Sequence, residues 1–139
     1  SGCATVALDE HRVMVAGGSV GSRCLNTTEI FDVRTMVFAP GPLMDSARYG
    51  CAAVPVDAQH FLIIGGYGSS GTALATTMLL DVTTMEFAPG PTLLVGRWAC
   101  AATRLDAAEE GPPRVLVIGG VDDDGADCSA TEVLSVFEG

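Results

Sequence analysis

The sequence predicts an all-β chain of about three repeated units, each a four-stranded antiparallel sheet. Three observations lead there: a set of motifs that returns about every 49 residues, short β-rich runs bounded by Gly, Pro, Asn, Asp and Ser, and a glycine pair closing the same run in every unit.

Phe38-Ala-Pro-Gly-Pro42 returns as Phe87-Ala-Pro-Gly-Pro91, Asp32 as Asp81, Arg48 as Arg97 and Cys51 as Cys100, all at an offset of 49. Gly17-Gly18 returns at Gly65-Gly66 and again at Gly119-Gly120. An insertion around Asp106-Ala-Ala-Glu-Glu-Gly-Pro-Pro113 accounts for the longer second interval. The chain thus reads as a single repeat region with units of approximately 1–47, 48–96 and 97–139.

Within unit two, strands are expected over Cys51–Val56, His60–Ile64, Thr77–Asp81 and Met85–Phe87. Asp57-Ala-Gln makes a tight turn between the first two, so they form a hairpin. The Gly-Gly at the end of each second strand is expected where neighbouring backbones converge or φ turns positive. The loops after the pair differ between units (Ser19–Asn26, Tyr67–Ala75 and Val121–Ala130), and variable loops on a repeated scaffold carry recognition. Unit three reaches Val136-Phe-Glu-Gly139 where its fourth strand should follow, so the third unit is expected to lack that strand.

Acidic residues outnumber basic ones 17 to 7, for a formal charge of −10 and a pI near 4.3. Such a balance repels nucleic-acid phosphates and anionic membranes. All the basic residues are arginine, which excludes Schiff-base, P-loop-lysine and lysine-base chemistry from this chain. With 48% apolar and 17% charged residues the chain can form a packed core, and no apolar run approaches the roughly 20 residues of a membrane helix. Cys3, Cys51 and Cys100 sit in matching contexts, predicting one small buried position used three times. Cys24 and Cys128 fall in loops of non-adjacent units, and no basic stretch followed by an apolar run opens the sequence. A reducing, intracellular and cytoplasmic setting is the expectation.

Arg48-Tyr-Gly-Cys-Ala-Ala53, Phe61-Leu-Ile-Ile-Gly-Gly66, Leu80-Asp-Val82 and Phe87-Ala-Pro-Gly-Pro-Thr-Leu93 follow one another in the order and spacing of one blade. In these motifs the chain resembles the kelch-repeat family of β-propellers, over almost its whole length. Units of this size suit a kelch blade better than a WD40 blade, and neither Gly-His nor Trp-Asp occurs. Two positions depart from the pattern. The aromatic late in strand three is Phe31 in unit one but Leu80 and Leu134 later, and Phe38 and Phe87 stand where the family's strand-four Trp is usual. Propellers close with roughly four to eight blades. An incomplete ring of about three blades therefore predicts either further blades on a longer polypeptide or two copies closing a six-blade ring as a homodimer.

The resemblance implies a non-catalytic protein-interaction scaffold that binds through the loops at its channel mouth. Ser19, Tyr67 and Val121, just after the glycine pairs, and Arg48 and Arg97, before strand one, should face that mouth. The arginines would either hold a carboxylate of an acidic peptide bidentately or bond carbonyls of neighbouring blades. Tyr49 and Trp98 share one repeat position and would act as interaction hot spots or as wedges between blades. Asp122-Asp-Asp-Gly-Ala-Asp127 fails the spacing of a calcium loop and reads as a solvated turn, with Asp122–Asp124 offering a negative patch to a basic segment.

Gly66-Tyr-Gly-Ser-Ser-Gly71 only superficially fits a dinucleotide fingerprint, since no helix follows it. No nucleophile motif and no zinc-ligand spacing occurs, so no catalytic residue, metal or cofactor is expected. Some relatives of this fold, including the galactose oxidases, are copper enzymes that use His and Tyr ligands. The available Tyr49, Tyr67, His11 and His60 have no reason in the repeat register to converge. The alternatives to a binding module are an enzymatic or carbohydrate-binding propeller whose site is completed by other blades, and a half-propeller whose function is self-association.

Overall fold

The structure is a computed structural model describing residues 2–105 and 112–137, and every regular element among them is a strand. Among the described residues no helix is long and apolar enough to cross a membrane. Blade one runs through β1 (Ala4–Ala7), β2 (Arg12–Ala16), a two-residue ribbon β3 (Ser19–Val20) and β4 (Arg23–Cys24), then β5 (Thr28–Asp32) and β6 (Val37–Pro40). Its sheet has the order β1-β2-β5-β6.

Blade two follows with β7 (Arg48–Tyr49), β8 (Ala52–Pro55), β9 (His60–Ile64), β10 (Tyr67–Gly68), β11 (Thr77–Asp81) and β12 (Glu86–Pro89); its sheet runs β8-β9-β11-β12, and β7 pairs with β10. Blade three has β13 (Ala101–Leu105), β14 (Arg114–Ile118) and β15 (Glu132–Ser135), a three-stranded sheet among the described residues. All pairings are antiparallel. The innermost strands β1, β8 and β13 lie side by side, while β6 and β12 form the outer edges. The ring is open.

Burial follows from blade stacking. β9 sits in the middle blade with both faces covered, so Phe61, Leu62, Ile63 and Ile64 are all buried. One face, with Phe61, Ile63, Met78 and Leu80, packs on Met14, Ala16 and Val6 of blade one. The other, with Leu62, Ile64 and Val54, packs on Val115, Val117 and Leu134 of blade three. β14 has only one covered face, and its burial alternates along the strand.

The second and third strands expected in unit two match β9 and β11. The first is one residue shorter at each end, and the fourth begins at Glu86 and continues through Pro89. Met85 cannot open that strand because it takes φ 56° as the last residue of the hairpin loop, its N–H donating to the Asp81 carbonyl at 2.7 Å. Met36 repeats this turn in blade one, with φ 60°. The expected insertion at Asp106–Pro113 falls mostly outside the described residues. The three matched cysteines are buried to different degrees, and the expectation of one buried position is corrected accordingly. Cys51 is buried between two blades, Cys100 is partly covered and Cys3 is exposed, because each end blade has a neighbour on one side only.

Candidate partner-binding site at the channel mouth

The first two glycine pairs each form a joint between blades. Gly17 and Gly18 have φ 69° and 102°, and Gly65 and Gly66 have 63° and 107°, a left-handed path that glycine takes without strain. A Cβ on Gly17 would strike the Arg48 carbonyl, and one on Gly65 the Arg97 carbonyl. That proximity is used: Gly18 N–H donates to the Arg48 carbonyl at 2.9 Å and Gly66 N–H to the Arg97 carbonyl at 2.8 Å.

The arginine backbone thus bonds to the preceding blade while its side chain bonds within its own. Arg48 Nη1 donates to the carbonyls of Gly65 (2.9 Å) and Thr76 (3.1 Å), and Nη2 to the hydroxyls of Ser46 (2.7 Å) and Thr76 (3.1 Å). Arg97 Nη1 donates to the carbonyls of Ala130 (2.8 Å) and Gly119 (3.2 Å). Both side chains are fully buried, and burial pushes the Arg48 guanidinium below its ordinary pKa. Neither guanidinium faces the mouth, so an acidic peptide could reach them only by opening a joint.

Beyond the joints the chain turns toward the end of the channel where β1, β8 and β13 start. The residue after each glycine pair opens a short ribbon: Ser19 pairs with Cys24, Tyr67 bridges Ala73, and Val121 bridges Asp127. Tyr67 also pairs with Tyr49, and Val121 with Trp98. Residues from two blades are thereby gathered. The Tyr49 and Tyr67 rings are 5.5 Å apart, Tyr49 and Trp98 5.7 Å, and Tyr67 and Trp98 5.9 Å, with interplanar angles of 58°, 53° and 70°. All three are half-buried.

Beside this triad lies a cleft of about 390 Å³ between the blade-one ribbon and the blade-two loop, with Ser19, Ser22, Cys24, Tyr49, Tyr67 and Ser69 among its walls. Cys24 and Gly71, which the sequence did not mark as site residues, also line it. Cys24 Sγ donates to the Tyr67 carbonyl at 3.6 Å, and Tyr67 Oη to the Gly71 carbonyl at 3.0 Å.

In the acidic turn, Asp122 accepts the N–H groups of Asp124 (2.9 Å) and Ala126 (3.0 Å), and Asp123 accepts the Ala73 N–H at 2.9 Å. Two of the three aspartates expected to form a negative patch are therefore engaged with backbone, while Asp124 and Asp127 are exposed. Tyr49 and Tyr67 do converge, contrary to expectation, but without a histidine. His60 Nδ1 lies 2.9 Å from Asp57 at the entrance to β9 and His11 lies in the β1–β2 turn. Among the described residues, no three His, Cys, Asp or Glu side chains are grouped to hold a metal.

The family model described as the Kelch motif matches residues 1–42, which hold the blade-one sheet, its glycine pair and the Phe38-Ala-Pro-Gly-Pro42 turn. Over these residues the chain is similar to the kelch-repeat family. Blade two repeats the four-stranded order of blade one, blade three shows three strands of it among the described residues, and the glycine–arginine joint recurs between blades two and three. A search of curated proteins finds no match.

Glu132 is the buried charged residue that sequence reasoning missed. It accepts Arg97 Nη2 at 2.7 Å and the N–H groups of Leu94 and Val95 at 2.6 and 3.1 Å. In repeat register it aligns with Met78, whose sulfur accepts the equivalent Asp45 N–H at 3.4 Å. The register therefore held the signal, since a carboxylate stands in a strand position where the preceding blade has a buried methionine.

Proposed function

We propose that this chain is a non-catalytic protein-binding module whose partner seats on the mouth surface formed by Tyr49, Tyr67 and Trp98, flanked by the loops that begin at Ser19 and Val121. The convergence of three half-buried aromatic rings from two blades carries this reading. Rigid aromatic side chains supply large contact area at low conformational-entropy cost, and they concentrate binding energy when set beside a cleft. Asp124 and Asp127 add an acidic rim suited to a partner with a basic flank. Arg48 and Arg97 serve the site from beneath by fixing the blades that carry the rings.

Affinity capture from cell extract, with captured proteins identified by mass spectrometry, tests the reading. Proteins retained by the native chain and by a Leu94→Ser control are expected to be lost with Tyr49→Ala and with Tyr67→Ala, while thermal melts show every variant folded. Retention of the same partners by both tyrosine variants would refute a mouth-centred site.

A further inference from the structure

The cleft beside the triad has a chemistry that narrows the partner. Its walls contain no charged side chain, although the chain carries 17 acidic and 7 basic residues. A charged segment entering it would lose hydration with no counter-charge in return. Three main-chain acceptors on the blade-two side are already engaged: the Tyr67 carbonyl by Cys24, the Gly68 carbonyl by Gly71 N–H at 3.1 Å, and the Gly71 carbonyl by Tyr67 Oη. Gly68 N–H is likewise taken, by the Thr72 carbonyl at 2.9 Å. A ligand strand that needs to pair its own N–H groups finds no free ladder there. Exposed Ser22 and Ser69 bring hydroxyls to the rim, and these can donate to a ligand carbonyl. Tyr49 and Tyr67, tilted rather than stacked, both line the cleft and offer it aromatic surface for compact aliphatic rings.

We infer that the cleft takes an uncharged proline-rich segment in the polyproline II conformation; this rests on the mouth-binding reading above. Proline offers what these walls can use. It has a strong carbonyl acceptor, no N–H to satisfy, a flat apolar ring to lie on the tyrosine rings, and a preformed backbone that loses little entropy on docking.

Trp98 is the single tryptophan of the chain and reports on the triad directly. Titration of the whole chain with an acetylated oligoproline peptide is expected to give a saturable change in Trp98 emission, absent with a Gly-Ser peptide of equal length. Tyr49→Ala should weaken binding at least about tenfold, whereas Tyr67→Phe, which keeps the ring, should retain it. Ser69→Glu, at an exposed position where folding is not at stake, should weaken it by placing a charge on the rim. An unsaturable response, equal binding of the Gly-Ser peptide, indifference to Ser69→Glu, or a response to maltose in place of oligoproline would overturn the inference. If oligoproline fails while tyrosine-dependent capture persists, only the ligand class is wrong. If capture no longer depends on the tyrosines, the mouth reading fails with it.

Discussion

Glu132 Oε2 accepts a hydrogen bond from Arg97 Nη2 at 2.7 Å, with the arginine side chain fully shielded and the carboxylate almost so. The equivalent arginine of the preceding blade, Arg48, has no buried carboxylate. It relies on Ser46, Thr76 and a long 3.5 Å contact to exposed Asp45. One joint therefore uses a buried ion pair and the other neutral oxygens, on the same backbone frame.

Breaking the pair from one side leaves a buried charge without its partner. Glu132→Met is expected to destabilise the chain by about 3–5 kcal/mol in denaturant unfolding. Adding Leu94→Asp and Val95→Ser supplies the counterparts of Asp45 and Ser46, and the triple variant should recover at least half of the loss. No recovery would show that the two joints are not interchangeable.

The glycine joints should differ in tolerance. Gly65→Ala adds a Cβ that meets the Arg97 carbonyl and also demands a left-handed alanine. Around Gly119 a Cβ would meet no described atom within 4 Å, so only the backbone term remains. Chemical denaturation is expected to show losses of about 2–4 kcal/mol for Gly65→Ala and about 1 for Gly119→Ala. Equal losses would contradict the joint geometry.

Two non-glycine residues in left-handed conformation are open to improvement. Ala99 has φ 57° and Met36 has φ 60° with its side chain largely exposed. Ala99→Gly and Met36→Asn should each raise stability by about 0.5–1 kcal/mol, read as a higher melting temperature with unchanged circular dichroism.

Thiol reactivity should follow blade position. Burial pushes the Cys51 thiol up to about 11, while Cys3 is exposed. Iodoacetamide at pH 8 followed by peptide mass spectrometry is expected to label Cys3 in the native protein and Cys51 only after denaturation. Early labelling of Cys51 would mean that the junction of blades one and two opens.

Acid should weaken the turns. Backbone N–H groups of His11 and Arg34, with the guanidinium groups of Arg12 and Arg34, hold Asp9 and Asp32 below the ordinary 3.8. For Asp57, burial pushes the pKa up, but hydrogen bonds from Gln59 N–H and the His60 ring outweigh it and leave the group lowered. A carboxylate with a depressed folded-state pKa contributes stability above its unfolded value and loses it as pH falls through the folded one. Melting temperature is therefore expected to drop below about pH 3.8, and Asp9→Asn with Asp57→Asn should flatten that drop.

Local pattern alone determined the β class, the period, β9 and β11, and the glycine pairs, because alternation, turn residues and left-handed glycines are written over a few neighbouring positions. Position in the repeat also marks Tyr49 and Trp98 as candidates, and the kelch resemblance adds Tyr67. Tertiary structure decided which role each residue has. For Arg48 and Arg97 the sequence leaves open a partner's carboxylate or blade carbonyls, and the carbonyls that hold them come from segments 17 to 33 residues away. The aromatic triad spans two blades, and the pairing of Glu132 with Arg97 crosses 35 residues. The graded burial of three matched cysteines depends on how many neighbours each blade has. Such outcomes arise when blades stack, because burial and electrostatic pairing are properties of the surfaces that meet, and local sequence does not say which surfaces those are.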